Sequence, residues 1–156
     1  MWNFIAQIAS DSSLNLWIAE TYWLWPILEI LHFIGLSLLF GGLLMVDLRM
    51  LGFFVNMAQE KVYQLLPLVI FGFVLNLITG VLFFFGDPGR YSINIAFKIK
   101  MTLVLLAGIN ALVYHYVIQP STGSSAQWQK LSALVSLSAW TGALLFGRLI
   151  PYIGTG

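Results

Sequence analysis

Apolar residues run along this chain in four long, nearly unbroken stretches. Pro26–Val46 (PILEILHFIGLSLLFGGLLMV) contains only two ionisable residues, Glu29 and His32. Leu65–Phe85 carries no charge. Phe97–Ile118 has Lys98 and Lys100 at its start, and Leu131–Ile150 has Arg148 near its end. A helix that crosses a bilayer needs about 20 mostly apolar residues at 1.5 Å rise each. A closed barrel would alternate apolar and polar positions, and these stretches do not. The pattern predicts an all-α integral membrane protein, a four-helix bundle with four transmembrane spans.

The first 21 residues are patterned differently. Trp2, Phe4, Ile5, Ile8, Leu14, Leu16, Trp17 and Ile18 are mixed with Asn3, Gln7, Asp11 and Glu20. Ser10-Asp11-Ser12-Ser13 has the composition of a break followed by a helix cap. This predicts two short interfacial amphipathic segments lying on the bilayer surface. No Lys or Arg precedes Arg49, so a secretory leader is not expected. Tyr22, Trp23 and Trp25 form an aromatic belt, and Pro26 suits a first helical turn.

Composition sharpens the class. Of 156 residues, 60% are hydrophobic and 8% charged, against roughly 25% charged in an ordinary soluble domain. A small soluble fold cannot hide that much apolar surface. Seven Lys and Arg against six Asp and Glu make no basic patch, so nucleic acid is not an expected partner. Zero cysteines exclude disulfides and thiolate metal sites. Arg49 and Lys61 follow the first span and nothing basic precedes it, so the positive-inside rule predicts N- and C-termini outside a bacterial inner membrane. Arg90, Lys98 and Lys100 would then lie near the outer face, against the rule.

Small residues predict how the spans pack, because close approach holds helices together in lipid. Gly72, Asn76 and Gly80 share one face of the second span, and Ala139, Ala143 and Gly147 one face of the fourth. His32, Gly35, Leu39 and Gly42 form a stripe on the first span. On the third, Lys100 is expected to share a face with Val104, Gly108, Ala111 and His115. Such glycines serve tight packing; a glycine beside a histidine also leaves room for a flat cofactor.

Ionisable residues at bilayer depth are costly and need a partner or a purpose. Glu29 and His32 lie three apart on one helix face. With Lys100 and Arg148 they come from three spans at similar depth and could converge. A neutral His32 could ligate haem iron, or only hydrogen-bond, for instance to Glu29. Glu29 could orient His32, relay protons or face the headgroups. Lys100 is the lysine expected to turn inward, and Arg148 could hold a haem propionate or snorkel to the interface. His115 lies toward the other end of its span, nearer Asp47 and Arg49, and is a weaker candidate ligand. The two histidines differ by about 10 Å in depth at 1.5 Å per residue. Asp47-Leu48-Arg49 is read as a cytoplasmic anchor. Glu29-x-x-His32 is half of a carboxylate di-iron motif without its other ligands. Met45, Met50, Met57 and Met101 do not share a helix face, as a copper path would require.

The runs LHFIGLSLLFGGLLMVDLRMLGF, GFVLNLITGVLFF, FKIKMTLVLLAGINALV and SLSAWTGALLFGRLIPY resemble a family of small four-helix bacterial inner-membrane proteins without an established activity. A first-span histidine (His32) with a third-span lysine (Lys100) also resembles, more distantly, the HemJ-type protoporphyrinogen oxidases, which bind haem b and depend on such a pair. The first-span histidine followed by Gly41-Gly42 is similar to CopD-type copper-resistance membrane domains.

Together these readings lead to an expectation of haem b binding and electron transfer, with a quinone as redox partner. His32 would be the axial ligand and Lys100 a second ligand or electrostatic partner. Arg148, Gly35 and Glu29 would complete the pocket. Two alternatives stay open: a non-catalytic subunit of a larger membrane complex, or homo-oligomer, and a copper- or metal-handling membrane protein.

Overall fold

The computed structural model describes residues 2–119 and 126–153, with backbone only for the first two of these. Two short helices, α1 (Trp2–Ser10) and α2 (Ser13–Glu20), precede the long α3 (Leu24–Leu51). A short α4 (Gln59–Tyr63) leads into α5 (Leu66–Gly86). After α6 (Pro88–Ile93) comes α7 (Ile95–Val113), which ends in a π-helical turn, Tyr114–Ile118, and α8 (Ala126–Leu149) closes the described chain. Four helical stretches are long and apolar enough to cross a membrane: Leu24–Leu51, Gln59–Gly86, Ile95–Ile118 and Ala126–Leu149. The chain is all-α and a multi-pass membrane protein.

The break predicted near Ser12 is where α1 ends and α2 begins. The Ser12 hydroxyl accepts the Asn15 N–H and so caps α2. α1 packs on α6 and α2 on the end of α5. Asn15 fixes the latter by donating from Nδ2 to the Phe85 carbonyl at 2.6 Å. Phe4, Ile8, Leu16 and Trp17 stay exposed on the outside of this pair.

Backbone contact joins α3 to α5, α3 to α8, and α8 to α7; no comparable contact joins α5 to α7. The α3–α5 crossing is the tightest. A Cβ on Gly72 would lie 2.6 Å from both the Gly35 carbonyl oxygen and the Leu39 nitrogen. A Cβ on Gly42 would meet Val69 at 2.3 Å. The small-residue faces expected on these two spans are therefore the contact itself.

Two expectations need correction. The first concerns Asp47, near the end of the helix that carries the first span. α3 continues to Leu51 and ends at Gly52, whose left-handed φ of 101° terminates the helix. Asp47, read as a cytoplasmic anchor, is buried within that helix. Gly108 also does not share the inward face of Lys100. It is exposed, and a Cβ there would meet nothing within 4 Å. Ala107 is the buried residue. At 3.6 residues per turn, seven residues bring the chain back to the same face, whereas eight overshoot by roughly 80°.

At the end of the bundle where α3 begins, Phe84 stacks on Phe97 at 5.9 Å, and Tyr91 meets Phe97 edge-on at 5.2 Å. Asn94, fully buried, ties this end together. Its Oδ1 caps α7 through the Phe97 N–H, and its Nδ2 donates to the carbonyls of Ile150 and Ile153 beyond α8.

Candidate functional site

His32 projects from α3 onto α5. Its Nδ1 lies 2.7 Å from the Thr79 hydroxyl. That hydroxyl is also 2.8 Å from the Leu75 carbonyl and 3.2 Å from the Asn76 carbonyl of its own helix. A threonine has one hydroxyl proton. Directed to these carbonyls, it leaves a lone pair to accept Nδ1–H from the imidazole. The network thus assigns the tautomer with the proton on Nδ1 and a lone pair on Nε2.

The ring is held on two further sides. Phe83 meets it edge-on at 5.5 Å, and its Cε1 lies 3.9 Å from where a Gly80 Cβ would be. One turn along, Asn76 donates to the His32 carbonyl at 3.3 Å and to the Gly72 carbonyl at 3.2 Å. Thr79, 1% exposed, is the partner that the residue pattern did not reveal. The available signal was a hydroxyl three residues after Asn76 in a span with no charge.

Lys100 enters from α7. Its side chain lies across Gly147 of α8, with Cδ, Cε and Nζ each 3.5 Å from the position of a Cβ there. The ammonium is close enough to His32 to act on it electrostatically. Among the described residues, neither Lys100 Nζ nor His32 Nε2 has a hydrogen-bond or ion-pair partner. The pairing of first-span histidine with third-span lysine is thus present in space.

The other expected site residues are placed differently. Glu29 is exposed and accepts from Trp25 Nε1 at 3.2 Å; Thr79, not Glu29, engages His32. Gly35 lies in the α3–α5 crossing, where a Cβ would be 2.5 Å from Asn76 Nδ2. Arg148 is exposed, its guanidinium over the Tyr152 ring at 5.9 Å, and has no carboxylate partner among the described residues. His115 sits exposed on the π-helical turn, beside Gln119 Oε1 at 3.2 Å and edge-on to Tyr116. The structure does not bring it together with His32. Met57 and Met101 are exposed.

Among the described residues no group of three or more His, Asp or Glu side chains could hold a metal ion. Bare copper or a di-iron centre needs several protein ligands. Haem iron already has four porphyrin nitrogens and needs only one or two more donors. Of the nitrogens expected at such a site, His32 Nε2 presents an unshared pair, and Lys100 Nζ lies over Gly147 within electrostatic range of His32. Comparison with protein-family models, curated proteins and solved structures gives no match.

Proposed function

We propose that this chain is a haem b-binding protein of the bacterial inner membrane that takes part in electron transfer, with a quinone as redox partner. The observation that carries the reading is the His32 imidazole, fixed by Thr79 so that Nε2 faces away from its only hydrogen bond. The protonated Nδ1 increases the donor strength of Nε2 and sets the ring plane. Lys100 is the second donor or, as a cation, offsets negative charge beside the site. Arg148 lies exposed at the end of α8 and, with no carboxylate partner among the described residues, would meet a propionate only at the outer rim of the site. Haem, when bound, supplies one-electron chemistry, and the bundle sets its position and potential. The termini lie outside in this reading.

The test is an absorption spectrum of protein purified in mild detergent from haem-replete cells, oxidised and then reduced with dithionite, beside His32→Ala. The expected result is a Soret band with α and β bands that sharpen on reduction and are lost in His32→Ala. A band that survives the substitution would move the ligand elsewhere. A colourless protein would overturn the haem reading.

A second reading, a non-catalytic subunit of a larger membrane complex or a homo-oligomer, draws on Gly108. That glycine exposes an unfilled small surface on α7 with Ala111 nearby, the kind of surface on which membrane helices associate. A stable partner after purification from native membranes, or a second copy seen by cross-linking through position 108, would favour it.

A further inference from the structure

A second polar cluster lies at the opposite end of the bundle, fifteen residues along α3 from His32, or about 22 Å at 1.5 Å per residue. Its centre is Asp47, 4% exposed, the only buried residue among the six acids of the chain. Its Oδ2 is fully buried and has no hydrogen-bond partner among the described residues. The Ser136 hydroxyl of α8 lies beside the carboxyl. One turn of α8 away, Ser132 donates to Asn110 Oδ1 at 3.1 Å and accepts, through its carbonyl, from Asn110 Nδ2 at 3.0 Å.

The π-helical turn after α7 brings Tyr114 within electrostatic range of Asp47. The Tyr114 hydroxyl is 2.6 Å from that of Tyr63 in α4. Both tyrosines line a polar pocket of about 320 Å³ with Gln59, Glu60, Gln119 and Gln129. One water occupies roughly 30 Å³ of liquid volume, so the pocket is roomy enough for several. The hydrogen-bonded tyrosine pair thus lines the pocket on one side and comes within electrostatic range of the buried carboxyl on the other.

We propose that Asp47 is a proton-binding site, loaded from the pocket at the Arg49 and Lys61 end of the bundle through the Tyr63–Tyr114 pair. Loading adds one proton from water to the carboxylate and gives the neutral acid; unloading returns it. The ligand is a proton and not a metal cation, because hard cations take about six oxygens. The carboxyl and the Ser136 hydroxyl supply too few.

Among the described residues, Glu60 and Lys61 of α4, which packs on α3, are exposed, with Glu60 at the rim of the pocket, and His115 on the turn after α7 is exposed as well. α5 contains no titratable residue. Lys130 of α8 is exposed. Arg49, on the same helix, donates from Nε to the Met57 carbonyl at 2.8 Å. Tyr114, with Tyr63 behind it, is the titratable group beside the carboxyl. An intramembrane acid with an orphan oxygen is costly as a purely structural element, which favours a working role. The inference does not depend on haem.

The experiment is infrared difference spectroscopy of the full chain reconstituted in lipid, as pH is stepped and as H₂O is exchanged for D₂O. The expected result is one buried-carboxyl C=O band that grows as pH falls, is absent in Asp47→Asn and moves in Asp47→Glu. The second variant assigns the band even where the first folds poorly. Tyr114→Phe should keep the band and slow its isotope shift by about tenfold, the rate equivalent of one hydrogen bond. A band indifferent to both Asp47 variants would overturn the site. Unchanged exchange in Tyr114→Phe would overturn the route. Displacement of the band by sodium at constant pH would replace the proton with a cation.

Discussion

The two ends of the bundle solve the same problem in opposite ways. At the His32 end one nitrogen of an imidazole in an apolar interior is fixed by a partner and the other is left without one. The Thr79 hydroxyl accepts the imidazole N–H and donates a hydrogen bond to the Leu75 carbonyl of its own helix, and Asn76 ties the His32 carbonyl to α5. At the Asp47 end a carboxyl is buried more deeply, with one oxygen unpartnered among the described residues. The first arrangement orients one nitrogen and leaves the other available, which suits ligation. The second leaves an acceptor with nothing to accept from, which suits a group that gains and loses a proton.

The packing around each explains the contrast. The α3–α5 crossing is built on glycines, so backbones approach closely and side chains interlock around His32. Asp47 instead faces α8, whose small Ser132 and Ser136 are buried on the same face. The most direct way to break the His32 half alone is to enlarge Gly72. Gly72→Leu drives a side chain into the Gly35 carbonyl and the Leu39 nitrogen, backbone atoms that cannot step aside. Overpacking of well-packed sites costs typically about 1–3 kcal/mol and occasionally more, and this site belongs to the upper part of that range. The expected outcome is a large fall in folded yield in detergent, or an apparent Tm lower by about 6 °C or more. Gly108→Leu, at a position with open space, should leave Tm within about 2 °C.

Single-residue changes at the two ends should differ in sign. Thr79→Val leaves a buried imidazole N–H without an acceptor, and an unsatisfied buried group costs about 1–3 kcal/mol. Asp47→Asn replaces a carboxyl whose Oδ2 already lacks a partner, so no hydrogen bond is lost at that oxygen and the desolvation cost of a buried charge is removed. Thermal unfolding of the two variants under identical detergent conditions is the check. Equal destabilisation would mean that Asp47 holds helices together, contrary to its proposed role.

How far this contrast was legible in the sequence follows from the same residues. The spans were readable because lipid demands continuous apolar helices, and the small-residue faces because helix contact in lipid demands close approach. His32 and Lys100 stood out as ionisable residues at bilayer depth. Thr79 was hidden, because a single threonine in an apolar helix carries no distinctive signal until its neighbour across the crossing is known. Asp47 was read as an anchor because it follows the last apolar run of the first span and stands beside Arg49; α3 continues past it to Leu51, and the Asp47 carboxyl turns toward Ser136 of α8. A signal existed in α8, where Ser132 and Ser136 stand four apart and present hydroxyls on one face. Glu29 and Arg148 were expected at the right depth, but depth does not specify azimuth, and both face outward.

The smallest expected effect concerns how dry the His32 end is. Tyr91 of α6 packs between Phe84 and Phe97 outside the spans. Burial raises the titration of its phenol above the ordinary tyrosine value near 10, opposed by the adjacent Arg90 and reinforced by Asp87 and Glu29. The neutral phenol is therefore favoured more in the folded chain than in the unfolded one. That contribution is fully present below the unfolded value and is lost as pH climbs through the folded one, because the unfolded chain releases its proton first. Above about pH 10 the wild-type chain should lose thermal stability more steeply than Tyr91→Phe, by about 2 °C at most. Below about pH 9 the difference between the two should not change with pH. Parallel Tm profiles across the alkaline range would mean that water reaches Tyr91, and that the aromatic cap does not seal the His32 end.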